Sequence, residues 1–109
     1  MKVEHYMEEK LLKVLITEEI DHHTALMIKT RLDYEIARLR PKTVIMNLEN
    51  VKFMDSAGVG LLIGRYKVVK SYGGVLEIEN CQPKLMKIFE MSGLPKIITF
   101  RETKKEEVV

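Results

Sequence analysis

Apolar and polar residues alternate over the first sixteen positions and then recur in steps of three and four, so the pattern predicts two strands followed by a helix. Lys2 to Tyr6 reads as a short strand, Met7-Glu8-Glu9-Lys10 as a polar turn, and Leu11 to Ile16 as a second strand. In the second strand Leu12, Val14 and Ile16 share one side, with Lys13 on the other. After the polar Thr17-Glu18-Glu19, the run Ile20-Asp21-His22-His23-Thr24 places Asp21 where a helix N-cap belongs. Ala25, Ile28, Leu32, Ile36 and Leu39 then form one apolar stripe, leaving Lys29, Asp33 and Arg38 outside. Arg40-Pro41 ends this helix, because the residue before a proline is pushed out of the α region.

Thr43 to Leu48 is the most continuous apolar run and predicts a central strand covered on both faces. A second helix is expected from about Ala57 to Ser71, stopped by Tyr72-Gly73-Gly74, and Val75 to Glu79 alternates as a strand. Asn80-Cys81-Gln82-Pro83 opens a third helix with Pro83 at its first position, where the missing N–H does no harm. Leu85, Ile88 and Phe89 give it an apolar face and Ser92-Gly93 closes it. Lys96 to Phe100 is expected as a last strand, and the charged tail Arg101 to Val109 as frayed or loosely helical. Alternating strands and helices define an α/β class, here a mixed, mostly parallel sheet with an N-terminal antiparallel hairpin and flanking helices. In such a sheet the strand-to-helix loops share one edge, so the loop carrying Asp21 should neighbour the loop carrying Asp55 and Ser56.

A length of 109 residues fits one domain, with a core over about residues 2–100 and a tail over 101–109. The 18 basic and 16 acidic residues are interspersed and leave a net charge of +2, which gives no electrostatic footprint for nucleic acid. No apolar run approaches the roughly 20 residues of a membrane span. The acidic first ten positions lack a signal-type apolar core, so a cytoplasmic location is expected. The single Cys81 cannot form an internal disulfide, in keeping with a reducing compartment.

The chemistry concentrates around Ser56. It stands where an N-cap belongs, just before the helical pattern at Ala57, and unpaired N–H groups and the macrodipole make that position favourable to added negative charge. Most serines at such positions only cap a helix. Asp55 on one side and Gly58 and Gly60 on the other make an unusual rim for a structural cap, since each glycine costs roughly 1 kcal/mol of helix stability against Ala. Close approach of a partner's backbone or of a ligand would offset that cost. Met54, Val59 and Leu61, with Met91 and Leu94, could supply an apolar rim for a protein partner, although apolar residues at helical spacing are more often core.

Two catalytic or ligand readings fail. Asp21, His22, His23 and Ser56 do not make a hydrolase, because the G-x-S-x-G elbow and an oxyanion loop are absent. Adjacent histidines diverge and make a poor metal pair, and the expectation is one packed on the sheet edge and one solvated. Gly58-x-Gly60-x-x-x-Gly64 followed by Glu77 and Glu79 superficially matches a dinucleotide fingerprint, but the loop from Glu49 to Ala57 separates it from its strand. Gly64 then reads as close helix-to-sheet packing, and nucleotide contact is expected to be weak.

Ile20-Asp21-His22-His23-Thr24-Ala25, Asn47-Leu48-Glu49, Phe53-Met54-Asp55-Ser56-Ala57-Gly58-Val59-Gly60, Gly64-Arg65-Tyr66 and Met91-Ser92-Gly93-Leu94 together resemble the STAS-domain anti-sigma factor antagonists, most closely their sporulation branch. The resemblance runs from about Leu11 to Phe100. It implies a regulator without catalytic residues, metal or cofactor, whose unmodified form binds an anti-sigma factor that is also a serine kinase and so releases the sigma factor. It implies phosphorylation at Ser56, release of the partner, and a serine phosphatase that resets the switch. The partner surface it implies comprises Asp21, Met54, Asp55, Ser56, Gly58, Val59, Gly60 and Leu61, with Asp21 orienting the hydroxyl or touching the partner and the glycines permitting close docking. Two departures stand out: Glu18 occupies a position where the family usually has glycine, and Ala57 replaces a common second serine. The alternative is a nucleotide-binding STAS regulator that acts on a partner outside the sigma-factor pathway.

Overall fold

The computed structural model describes residues 1–103. Strands β1 (Lys2–Tyr6), β2 (Leu11–Leu15), β3 (Thr43–Asn47), β4 (Val75–Glu79) and β5 (Thr99–Arg101) form one sheet in the order β1-β2-β3-β4-β5. β1 is antiparallel to β2 through a turn closed at Lys10, whose φ is 52°, and every later pair is parallel. Helices α1 (His22–Leu39), α2 (Ser56–Ser71) and α3 (Pro83–Ser92) make the crossovers. Of the tail expected as frayed or loosely helical over 101–109, residues 104–109 lie outside the described residues. Arg101 belongs to β5, and the Thr103 N–H donates to the Asn80 side chain at 2.9 Å.

Strands that follow one another in space as in sequence, joined by right-handed crossovers, place all three helices on one face. Burial agrees: Leu12, Val14, Val44, Met46, Leu76 and Ile78 join Ile28, Leu32 and Ile36 of α1, Leu62 and Val69 of α2 and Leu85 and Phe89 of α3 in a single core. The opposite face carries Lys13, Ile45 and Glu77 side by side in register. Among the described residues no helix covers this face, so the two-sided cover expected for Thr43 to Leu48 is not made by a second helix layer. Ile45 is nonetheless buried between half-buried Lys13 and Glu77, and long amphipathic stems of that kind shield an apolar neighbour without a second helix layer.

The chain ends differ from the pattern in one further place. The last strand expected over Lys96 to Phe100 is present but starts only at Thr99: Leu94–Lys96 is a 3-10 turn, and the N–H groups of Ile97 and Ile98 both donate back to the Leu94 carbonyl at 3.0 Å. These bonds keep the chain coiled until Thr99. Arg40 leaves the α region as expected before Pro41, but into the left-handed region, with φ 41° and ψ 58°.

The structure buries charge on the inward faces of α1 and α2. Arg65 of α2 is buried, and its Nε lies 2.9 Å from Asp33 Oδ1 of α1 with the N–H directed off the line of the contact, so that Nε has no well-aligned hydrogen bond. Asp33 also receives Lys29 Nζ at 3.2 Å. Glu35 is buried on α1 and held by Arg38 at 2.8 Å and Arg31 at 3.4 Å.

The start of α2 is fixed from below. A Cβ added at Gly58 would lie 2.1 Å from Met54 Cγ and 3.1 Å from Ile20 Cγ2, whereas one added at Gly60 or Gly64 would meet nothing within 4 Å. Gly58 is thus a hole filled by Met54, and Gly64 does not mark close helix-to-sheet packing.

Gly58→Ala should destabilise by about 1–3 kcal/mol through overpacking, while Gly60→Ala should stabilise by roughly 0.5–1 kcal/mol through helix propensity. Urea unfolding ranks the two, and the reverse order would remove the packing argument. In the same assay Asp33→Ala, which strands a buried guanidinium, should cost about 1–3 kcal/mol. Arg65→Met, which removes the buried charge itself, should cost less.

Candidate functional site

Asp55, rather than Ser56, caps α2. Its backbone is extended, at φ −90° and ψ −174°, and its Oδ1 accepts the Ala57 N–H at 3.0 Å and the Gly58 N–H at 3.2 Å. Asp and Ser are about equally good caps, and the one that sits in the extended segment takes the role. Ser56 becomes the first helical residue and is exposed. Its hydroxyl is released from capping.

Asp21 caps α1 as expected. Its Oδ1 accepts the His23 N–H at 2.8 Å and the Thr24 N–H at 2.9 Å, and the Asp21 N–H donates to Thr24 Oγ1 at 3.0 Å, completing a capping box. The Thr24 N–H above all, with the His23 N–H and the Thr24 hydroxyl, holds the Asp21 carboxyl below the usual aspartate range. Asp21 is exposed, so the edge carries a fixed negative charge at neutral pH.

The two capping loops do meet. Ile20 and Met54 form a parallel bridge, and the Glu19 carboxylate accepts the N–H groups of Lys52 at 3.2 Å and Phe53 at 3.1 Å. Glu18 takes no positive φ; among the described residues only Lys10, Arg40 and Asn80 do so without being glycine, and the turn needs no glycine there.

The residues expected to form a partner surface divide into two layers. Asp21, Ser56 and Gly60 are exposed and Asp55 and Val59 half-buried. Met54 and Leu61 are only 2% and 5% exposed and Gly58 is buried, so these three shape the site from beneath and do not form a rim. Leu94 is core, and Met91, though exposed, lies in the last turn of α3, at the sheet edge opposite Ser56. The exposed apolar residues on the Ser56 edge are instead Phe53, Leu26 and Met27, each at least 60% exposed. Phe53 was legible in principle: in an extended segment it must point away from its buried neighbour Met54.

His22 and His23 are both exposed, their ring centroids 6.0 Å apart in an edge contact, so neither packs on the sheet edge as expected. Burial pushes the Cys81 thiol up to about 11, far from the range of a reactive thiolate. Among the described residues no group of three His, Cys, Asp or Glu side chains could hold a metal ion, and no helix is long and apolar enough to cross a membrane.

Comparison with known proteins places this geometry in a family. The STAS domain model matches residues 3–107. An anti-sigma F factor antagonist from Paenibacillus polymyxa is 35% identical over 98 residues, 90% of this chain and 82% of the relative. Among solved structures, the anti-sigma factor antagonist SpoIIAA in its unphosphorylated form superposes with a TM-score of 0.81 at 29% identity, covering 97% of this chain and 90% of that one. The phosphorylated form of the Bacillus cell fate determinant SpoIIAA gives a TM-score of 0.74 at the same 29% identity, covering 97% and 93%. With Asp55 capping α2 and Ser56 exposed beside it on the loop edge of a five-stranded mixed sheet, the chain belongs to the STAS-domain family of anti-sigma factor antagonists.

Proposed function

We propose that the unmodified protein docks through the Ser56 edge onto an anti-sigma factor that is also a serine kinase, thereby freeing a sporulation sigma factor in the cytoplasm. Phosphorylation of Ser56 by that kinase ends the complex, and a serine phosphatase restores the docking form. The observation that carries this reading is the position of Ser56: exposed, first in α2, with the capping duty taken by Asp55.

A phosphate on Ser56 adds about −1.5 to −2 charges. Two of the N–H groups that could have received it, those of Ala57 and Gly58, are already bonded to Asp55. The new charge therefore projects outward beside two carboxylates, Asp55 and Asp21, and a partner that had covered a neutral hydroxyl meets repulsion and a desolvation cost. A hundredfold loss of affinity needs only about 2.7 kcal/mol. Asp21 and Asp55 contribute the negative rim, Val59 and Gly60 the adjoining contact surface, and Met54, Gly58 and Leu61 its support.

Incubation of the chain with a sigma F-type anti-sigma factor kinase and ATP should add one phosphate, located on Ser56 by peptide mapping. Ser56→Ala should accept none and still bind the kinase, while Ser56→Asp should bind at least about tenfold more weakly by calorimetry. Phosphate found on Ser71 or Ser92, or equal binding by the two variants, would refute the assignment.

A further inference from the structure

The loop between β3 and α2 has its backbone satisfied by an unusual route. Leu48 N–H donates to the Glu79 carbonyl and Val51 N–H to the Leu48 carbonyl, both at 3.0 Å, and Met54 lies in the bridge to Ile20. Between those anchors, the consecutive N–H groups of Lys52 and Phe53 converge on the carboxylate of Glu19, one on each oxygen. Such bonds to a charged acceptor are roughly twice as strong as neutral ones. The Glu19 carbonyl in turn accepts the Thr24 hydroxyl at 2.7 Å, and Thr24 is the second half of the Asp21 capping box. An unbroken chain of contacts thus runs from the cap of α1, through Glu19, to the residues that lead into Asp55 and Ser56.

We propose that Glu19 is a positioning residue for the switch: its carboxylate clips the Ser56-bearing loop to the capping box of α1, so that Asp21, Phe53 and Ser56 reach the partner as one fixed surface. This rests on the reading of Ser56 as docking and phosphoacceptor residue. The geometry separates the role from general stability. Glu19, Lys52 and Phe53 are all exposed, so when the clip opens their polar groups pass to water and no core contact is lost. Opening costs local order far more than global stability. Its effect belongs in the binding of the partner, which must then select the closed loop from a wider ensemble, and not in the chemical step, whose hydroxyl Glu19 does not touch.

The test uses the full chain as wild type, Glu19→Ala and Glu19→Gln. Amide exchange followed by NMR reads the clip directly: Glu19→Ala should exchange its Lys52 and Phe53 amides about tenfold faster or more, with a melting temperature within a few degrees of wild type. Steady-state phosphorylation by the anti-sigma factor kinase should show KM raised about tenfold and kcat within about twofold. Glu19→Gln, which keeps one acceptor oxygen in place, should fall between. Unchanged exchange, or faster exchange with an unchanged KM, overturns the proposal, as does an equal loss in kcat. A wild-type chain that takes up no phosphate refutes the Ser56 reading and the switch role with it, while the exchange measurement still decides whether the clip forms.

Discussion

The first turn of α2 is closed by the carboxylate of Asp55, and the character of the site follows from that choice. Had the Ser56 hydroxyl capped the helix by accepting the N–H groups two and three residues further on, it would be turned inward and engaged; with Asp55 capping through the Ala57 and Gly58 N–H groups, Ser56 begins the helix proper and its hydroxyl is left free of that duty. The same two bonds neutralise part of the positive helix end in advance. A second negative group added there finds the best donors occupied.

A cap of this kind is useful only if the loop before it holds still, and the structure holds it from two sides. Beneath, Met54 fills the space that a side chain at residue 58 would need, and the backbone of Met54 is paired with Ile20. Above, Glu19 takes two consecutive N–H groups of the loop. The apolar contact and the polar one join the same two segments, so the two capped helix starts are tied into one edge. Further along the helices, the Arg65–Asp33 pair couples α1 to α2 a second time.

Much of this was legible in the sequence because its signals are local. The strand alternation at Leu12, Val14 and Ile16, the α1 stripe, the Asp21 cap, the Pro83 start and the Gly93 stop depend on residues close together in the chain, and all appear in the structure. The loop neighbourhood was also legible, since a parallel sheet leaves its strand-to-helix loops nowhere else to go. What failed depends on backbone conformation and three-dimensional placement that residue type alone does not give. Asp55 and Ser56 are both favoured caps, and only the backbone conformation at 55 decides between them. Gly58 and Gly60 look alike until Met54 is placed. An exposed glutamate such as Glu19 carries no sequence signature when its partners are backbone N–H groups of residues 52 and 53. The apolar run through β3 reads as two-sided burial, because a sheet with helices on one face can still bury an isoleucine on the other between long polar stems.

These constraints bear on how a single modification can act without remodelling the fold. The core lies on the helix side of the sheet and none of it depends on the Ser56 hydroxyl, so a charge added there has no packed interior to disturb. Its effect must then be felt mainly in the interface. At physiological ionic strength charges separated by more than about 8 Å are largely screened, but groups brought into contact across a docked surface are closer than that and lose their water as well. Asp21 and Asp55 are anchored by backbone N–H groups and cannot swing aside without uncapping a helix. On the proposed reading, an edge whose negative groups are fixed in this way would convert one added phosphate into repulsion at the contact, where a flexible edge would have relaxed away from it.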